Sequence, residues 1–344
     1  MARNSPAPLR FALIGPGQIA AVFAESLLES GVGSVACVYG RRLAPARALA
    51  ERFGGEAVAD LEAALGHSAV QAVYIATPHS SHADYVRLAL EAGLPVLCEK
   101  PLSTTPASTR ELYALAASNQ TLLAEGYMYR THPQIERTLA IVASGELGPL
   151  EHFASHFGFR LEYQRQHRLF APELGGGGIL DVGGYPLSLA LTIARASGLS
   201  PAQVFAPELV AAEGQLAASG VDSSGRLELK FPGGLIAEAR VSLLEDLGRG
   251  AVLRGRHGTL RLEDPFLPGG SRRGRSARLW VETEGFKREE RIESRLDCFA
   301  LEAQAFTQMV HSGERTPRAP FLTTAESTAV AELLALWRDR LGAL

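Results

Sequence analysis

The chain has 344 residues, enough for two domains of ordinary size. It is 46% hydrophobic and 21% charged, and 34 basic residues against 37 acidic ones leave a net charge of −3. That balance gives no global attraction to nucleic acid or an acidic membrane, and no apolar run approaches the roughly 18 residues that span a bilayer. The opening "MARNSPAPLR" lacks the apolar core of a signal peptide and reads as a loose tail.

Residues 9 to 126 alternate strand-like and helix-like segments. "LRFALIG", "SVACVYG", "VQAVYIATP", "PVLCEK" and "TLLAEGY" read as short buried strands. Between the third and fourth, "SHADYVRLALEAGLP" places Tyr85, Leu88, Ala89 and Ala92 at helical spacing, with Gly93 as the stop signal and Pro95 after it. "TTPASTRELYALAASN" starts a further helix with Thr105 as N-cap and Pro106 at the first helical position. Strand, helix, strand in repetition predicts a parallel sheet covered on both faces.

After about residue 145 the pattern changes to rough period-2 alternation with glycine turns. "EHFASHFGFRLEY", "SGRLELKFPGGLIAEARVSLL", "GAVLRGRHGTLRLED" and "RLWVETEGFKREERIE" predict antiparallel strands, and helices are expected near 183–197, 297–312 and 323–341. The expected fold is α/β: an N-terminal Rossmann domain over 1–126, then a C-terminal α+β domain over 127–344 with a large, mostly antiparallel open sheet. The last helix, about 323–341, is a candidate to pack back on the first domain.

"ALIGPGQIAAVF" runs from strand to helix through Gly15, Gly17 and Ala20, a G-x-G-x-x-A dinucleotide fingerprint in its required setting. Gly15 permits the tight turn and Gly17 the approach of a pyrophosphate. The helix that starts at Gln18 and Ile19 offers unpaired N–H groups to the phosphates. An NAD enzyme usually ends the second strand with an acid for the ribose 2′-hydroxyl. Here Gly40, Arg41 and Arg42 stand there, and two guanidinium groups suit a 2′-phosphate. NADP is favoured over NAD, the alternative being two surface arginines that merely open a helix.

Read together, "GPGQIA", "YIATPHSSHADYVRLALEAGLPVLCEKPLS", "EGYMYRTHPQ", "GGGGILDVGGYPLSLA" and "LDCFALEAQAFTQMVHSG" resemble the glucose–fructose oxidoreductase / inositol dehydrogenase / MocA family over essentially the whole chain. The resemblance implies hydride transfer between NAD(P) and a carbon bearing a hydroxyl or carbonyl, usually in a sugar or cyclitol. It implies that Lys100, in Glu99-Lys100-Pro101, reaches the substrate, and that Tyr185 in "DVGGY" is the general acid–base. Tyrosine there matches the branch with dimeric dihydrodiol dehydrogenases, some aldose dehydrogenases and some nucleotide-sugar ketoreductases; Ser188, three residues on, departs from the aspartate of the inositol branch.

A phenol titrates near ~10, and a neighbouring ammonium favours its ionised form, which pairs Lys100 with Tyr185 chemically. Asp181, one turn before Tyr185, would orient the substrate or the lysine. Thr77 and Pro78 are expected near the nicotinamide ribose, with His82 also a cofactor-site candidate or a helix cap. Glu99 would contact the cofactor or fix Lys100. Arg130 and Arg168 are candidate substrate ligands, a salt bridge being the alternative for Arg168.

No metal is expected, since His152, His156 and His167 form no ligand spacing such as HExxH. The basic stretch 269–280 is set among glycine and serine and reads as a solvated hairpin loop rather than a nucleic-acid surface. Cys37, Cys98 and Cys298 are widely spaced, which fits a cytoplasmic location. The expected partners are a small-molecule sugar or cyclic alcohol and further copies of the chain, as a homodimer or homotetramer through the C-terminal sheet. Two rivals stand beside the sugar dehydrogenase: a nucleotide-sugar ketoreductase using the same Lys and Tyr, and a non-catalytic NADP-binding regulator.

Overall fold

The structure, a computed structural model, describes residues 7–344, so most of the expected loose tail lies outside the described residues. The chain forms two compact units. The first takes the chain up to Ser103, then Ala107–Thr131 and Leu296–Thr324; the second takes Thr104–Pro106, His132–Arg295 and Ala325–Leu344.

The first unit is built on a six-stranded parallel sheet: β1 (Leu9–Ile14), β2 (Gly33–Tyr39), β3 (Glu56–Val58), β4 (Ala72–Ile75), β5 (Val96–Glu99) and β6 (Leu123–Gly126). The spatial order is β3-β2-β1-β4-β5-β6, so the order reverses between β1 and β4. Every residue of β4, β5 and β6 is buried, as near-continuous apolar runs require of strands covered on both faces. The helix Gln18–Ser30 buries Phe23 against the sheet, where its ring stacks on Tyr74 with centroids 3.6 Å apart.

The segment 296–324 corrects the expected domain division. Its helix Cys298–His311 belongs to the first unit, because Phe306 packs on Phe11 of β1 at 6.0 Å and Asp297 accepts a hydrogen bond from Ser26 at 3.0 Å. Of the last helix, Thr324–Leu341, the residues from Ala325 on belong to the second unit. There Trp337 is fully buried against Gly225 and Gly183, two positions where a Cβ would stand 2.9 and 3.4 Å from its ring.

The second unit holds an eight-stranded sheet: β7 (Leu150–Gly158), β8 (Glu208–Leu216), β9 (Asp222–Lys230), β10 (Ile236–Ser242), β11 (Gly248–Gly255), β12 (Gly258–Glu263), β13 (Ser276–Thr283) and β14 (Phe286–Glu293). The order is β14-β13-β12-β11-β7-β10-β9-β8, antiparallel throughout except where β10 runs parallel to β7. A continuous helical run follows residue 178. It opens with a π-turn, Ile179–Gly183, and continues as the α-helix Gly184–Ala196. By length and apolar composition alone the stretch Pro172–Ala196 could cross a membrane, yet its most apolar part is buried inside the fold as a core helix.

Candidate active site

The reversal of strand order in the first unit brings the loops after β1 and β4 together, the place where open α/β sheets bind ligands. Gly15 has φ +98°, and a Cβ there would lie 2.8 Å from both Ala76 O and Thr77 Cγ2. Only glycine fits this turn. Gly17, the N-cap of the following helix, is exposed with no side chain capping the terminus and no acid in the first turn. The first N–H groups are thus left for a ligand. Gln18 is exposed and Ile19 half-buried beside them.

At the end of β2, a Cβ on Gly40 would meet the Pro16 ring at 2.8 Å, which excludes the acidic side chain of an NAD site from that position. Arg41 and Arg42 follow, both exposed. A dinucleotide, which the fold implies, fits these residues: a tight glycine turn, an uncapped helix N-terminus and two guanidinium groups.

Lys100 follows directly on β5 and is half-buried, and the Lys100–Pro101 peptide is cis. The turn after it is held from two sides. Glu125 of β6 accepts the Leu102 N–H at 2.8 Å, and a His82 ring nitrogen lies 2.8 Å from Pro101 O. The other His82 nitrogen lies 2.8 Å from Thr77 O, and the residue is fully buried. His82 thus ties the loop after β4 to the loop after β5. The Thr77 hydroxyl accepts from Ser81 at 3.0 Å, and Pro78 beside it is half-buried.

Glu99 points into the core, where the Tyr74 hydroxyl donates to it at 2.6 Å. Next to this pair lies Glu302, fully buried, its carboxyl pushed well up by burial and by the charge of Glu99. Burial and the two carboxyls likewise hold the Tyr74 phenol above its usual range. The raised carboxyl of Glu302 favours its protonated form beside Glu99, which is next in the chain to Lys100. Sequence reasoning did not single out Tyr74 or Glu302. A glutamate three residues after Phe299 and four before Phe306, on the buried face of the helix, was the available signal.

Arg130 is buried in the 3-10 turn Met128–Thr131, and its Nε donates to Pro320 O at 2.8 Å. That bond ties the turn to the returning segment 296–324.

In the second unit, Tyr185 is buried at the start of the Gly184–Ala196 helix. Its ring is tilted against Phe157 (5.2 Å) and Phe266 (5.4 Å), which are themselves parallel at 5.8 Å. Asp181 sits in the π-turn four residues earlier, on nearly the same face. Its Oδ1 lies 3.3 Å from Arg168 Nη2, so the salt bridge anticipated as the alternative for Arg168 is formed. Pro186, which has no N–H to give a helix bond, stands in the first turn of the α-helix just after the π-turn. Among the described residues no group of histidine, cysteine and acidic side chains is arranged to hold a metal.

The profile of the Gfo/Idh/MocA oxidoreductase family, NAD-binding Rossmann fold, matches residues 9–127, and that of the family's C-terminal domain matches 135–261. The chain is 31% identical to a D-xylose 1-dehydrogenase (NADP(+)) of Haloferax volcanii over 90% of its own length and 91% of the relative's. The chain belongs to the Gfo/Idh/MocA oxidoreductase family. Within it, the mouse trans-1,2-dihydrobenzene-1,2-diol dehydrogenase is 29% identical, with 97% of each chain covered. A 3-ketoreductase from Actinomadura kijaniata, solved with NADP and TDP-benzene, superposes with a TM-score of 0.84 at 28% identity, covering 96% of this chain and 97% of that one. Family membership makes the protein an oxidoreductase and agrees with both folds described above.

Proposed function

We propose that the protein is an NADP-dependent oxidoreductase acting on a carbon that bears a hydroxyl or carbonyl in a sugar, an aldose or a related cyclic alcohol. The observation that carries this reading is the Asp181–Tyr185 turn: a phenol set against two aromatic rings, one turn after a carboxylate paired with Arg168. NADP, when bound, supplies the hydride acceptor or donor at C4 of its nicotinamide. Gly15, Gly17 and the first turn at Gln18 and Ile19 would hold its pyrophosphate, Arg41 and Arg42 its 2′-phosphate, and Thr77 and Pro78 the ribose beside the nicotinamide.

Tyr185 takes the carbinol proton during oxidation and returns it during reduction. A phenol titrates near ~10, so at neutral pH it needs assistance. Lys100 provides it, its ammonium charge favouring the phenolate. Glu99, fixed by Tyr74, holds that stretch of chain in place. Asp181, anchored by Arg168, orients the substrate's hydroxyls.

The xylose dehydrogenase supports an aldose substrate. The likeness to the 3-ketoreductase solved with TDP-benzene favours a second reading, a nucleotide-linked sugar reduced by the same residues. A spectrophotometric panel of aldoses, polyols, dihydrodiols and dTDP-sugars with NADP or NADPH separates the two. Tyr185→Phe should lower kcat on the active substrate at least ~100-fold, with NADP affinity within about twofold of wild type. Wild-type turnover by that variant would overturn the reading.

A further inference from the structure

The run Gly175–Gly178 precedes the helix that carries Asp181 and Tyr185, and its purpose lies in a residue more than forty positions away. Asp222, the first residue of β9, is fully buried, and its Oδ2 accepts the Ile179 N–H at 2.6 Å. The Gly178 N–H bonds the same carboxylate. A Cβ on Gly177 would stand 2.4 Å from Asp222 Oδ1, and one on Gly178 would stand 3.4 Å from Oδ2. Gly177 also has φ +109°, a conformation that L side chains rarely adopt. The glycines therefore clear the space through which a carboxylate reaches the start of the helix, where the helix dipole favours negative charge.

We propose that Asp222 is a positioning residue for the acid–base tyrosine: its carboxylate seats the first turn of the helix and so fixes the π-turn that aligns Asp181 with Tyr185. This rests on the role assigned to Tyr185 above. Burial works against the arrangement, pushing the Asp222 carboxyl from its ordinary 3.8 to about 6 in spite of the backbone N–H groups. The charged group acting on it is the Arg338 guanidinium, from the last helix, which favours the carboxylate. A folded-state value raised in this way gives stability that is complete below about 4 and is lost as pH rises through about 6. A buried carboxylate that weakens the fold at working pH has its compensation in placing the site.

The test uses the full-length protein and two variants. Asp222→Ala removes the acceptor, and kcat should fall about tenfold or more, misplacement of a catalytic group being costly. NADP affinity, which resides in the other unit, should stay within about twofold. Amide hydrogen exchange over residues 178–185 should speed up. Asp222→Asn keeps an oxygen for the Ile179 N–H, so it should recover most of kcat while abolishing the fall in thermal stability between pH 4 and 6. Wild-type kcat and exchange in Asp222→Ala would overturn the proposal. So would a well-folded Asp222→Asn with turnover as low as Tyr185→Phe, since the acceptor would then not be what matters; this variant decides the question even if Asp222→Ala does not fold. The exchange measurement reads the helix seat without reference to turnover, so an active Tyr185→Phe would sink the catalytic reading while leaving the seat itself to be judged separately.

Discussion

Two glycine turns each lead into a helix, and they treat the helix N-terminus in opposite ways. After β1, Gly17 leaves the terminus exposed and free of any capping side chain. Before the π-turn, Gly177 and Gly178 let the Asp222 carboxylate in, and the terminus is closed by the protein itself. The same local chemistry, N–H groups with partial positive charge, is left open in one place, as the proposed dinucleotide site needs, and met by a carboxylate in the other. A glycine-rich sequence before a helix thus does not identify a ligand site; what stands opposite the terminus does.

The comparison can be broken by single substitutions. Gly177→Ala meets both a left-handed backbone and the Asp222 oxygen, and should cost about 3 kcal/mol or more of stability, measured by denaturant unfolding. Gly17→Ala meets neither: its φ of −88° suits any residue, and the new Cβ would touch only Ala76 O at 3.9 Å. That variant should keep its unfolding midpoint and lose roughly tenfold in NADP affinity, about 1.4 kcal/mol, because the added methyl would stand where the proposed site receives the pyrophosphate. If both variants unfold early, or neither loses affinity, the distinction between an open and a closed terminus fails. A smaller effect is expected at the end of β2. Arg41→Ala should weaken NADP roughly tenfold more than NAD, the loss of one charge-assisted hydrogen bond. Equal losses in the two titrations would remove the 2′-phosphate clamp.

Much of this architecture could be read along the chain. The buried strands of the first sheet announce themselves because both faces are covered and their apolar runs are nearly unbroken. The short edge strand β3 and the edge strand β8 do not: Glu56–Val58 is three residues long and half-exposed, and "ELVAAEGQL" carries no clean alternation. The return of Cys298–His311 to the first unit was hidden as well, since Phe306 and Asp297 meet partners some 270 to 295 residues earlier in the chain.

The candidate site divides along the same line. Gly15, Gly17, Lys100, Asp181 and Tyr185 stand in short motifs whose chemistry is local. Asp222 lies in "SGVDSSG", which by itself reads as a turn, and its meaning depends on an N–H forty-three residues away. The backbone contacts of His82 and of Arg130 Nε, which tie loops together, could not be read from the sequence.

The proposed function assigns Lys100 the task of favouring ionisation of the Tyr185 phenol. The pH dependence of kcat/KM for oxidation, in the wild type and in Lys100→Met, tests it most directly. The wild type should show a basic group titrating well below the ordinary tyrosine value of about 10, and Lys100→Met should move that inflection upward while lowering the rate at neutral pH. Profiles with the same inflection in both proteins would contradict the account.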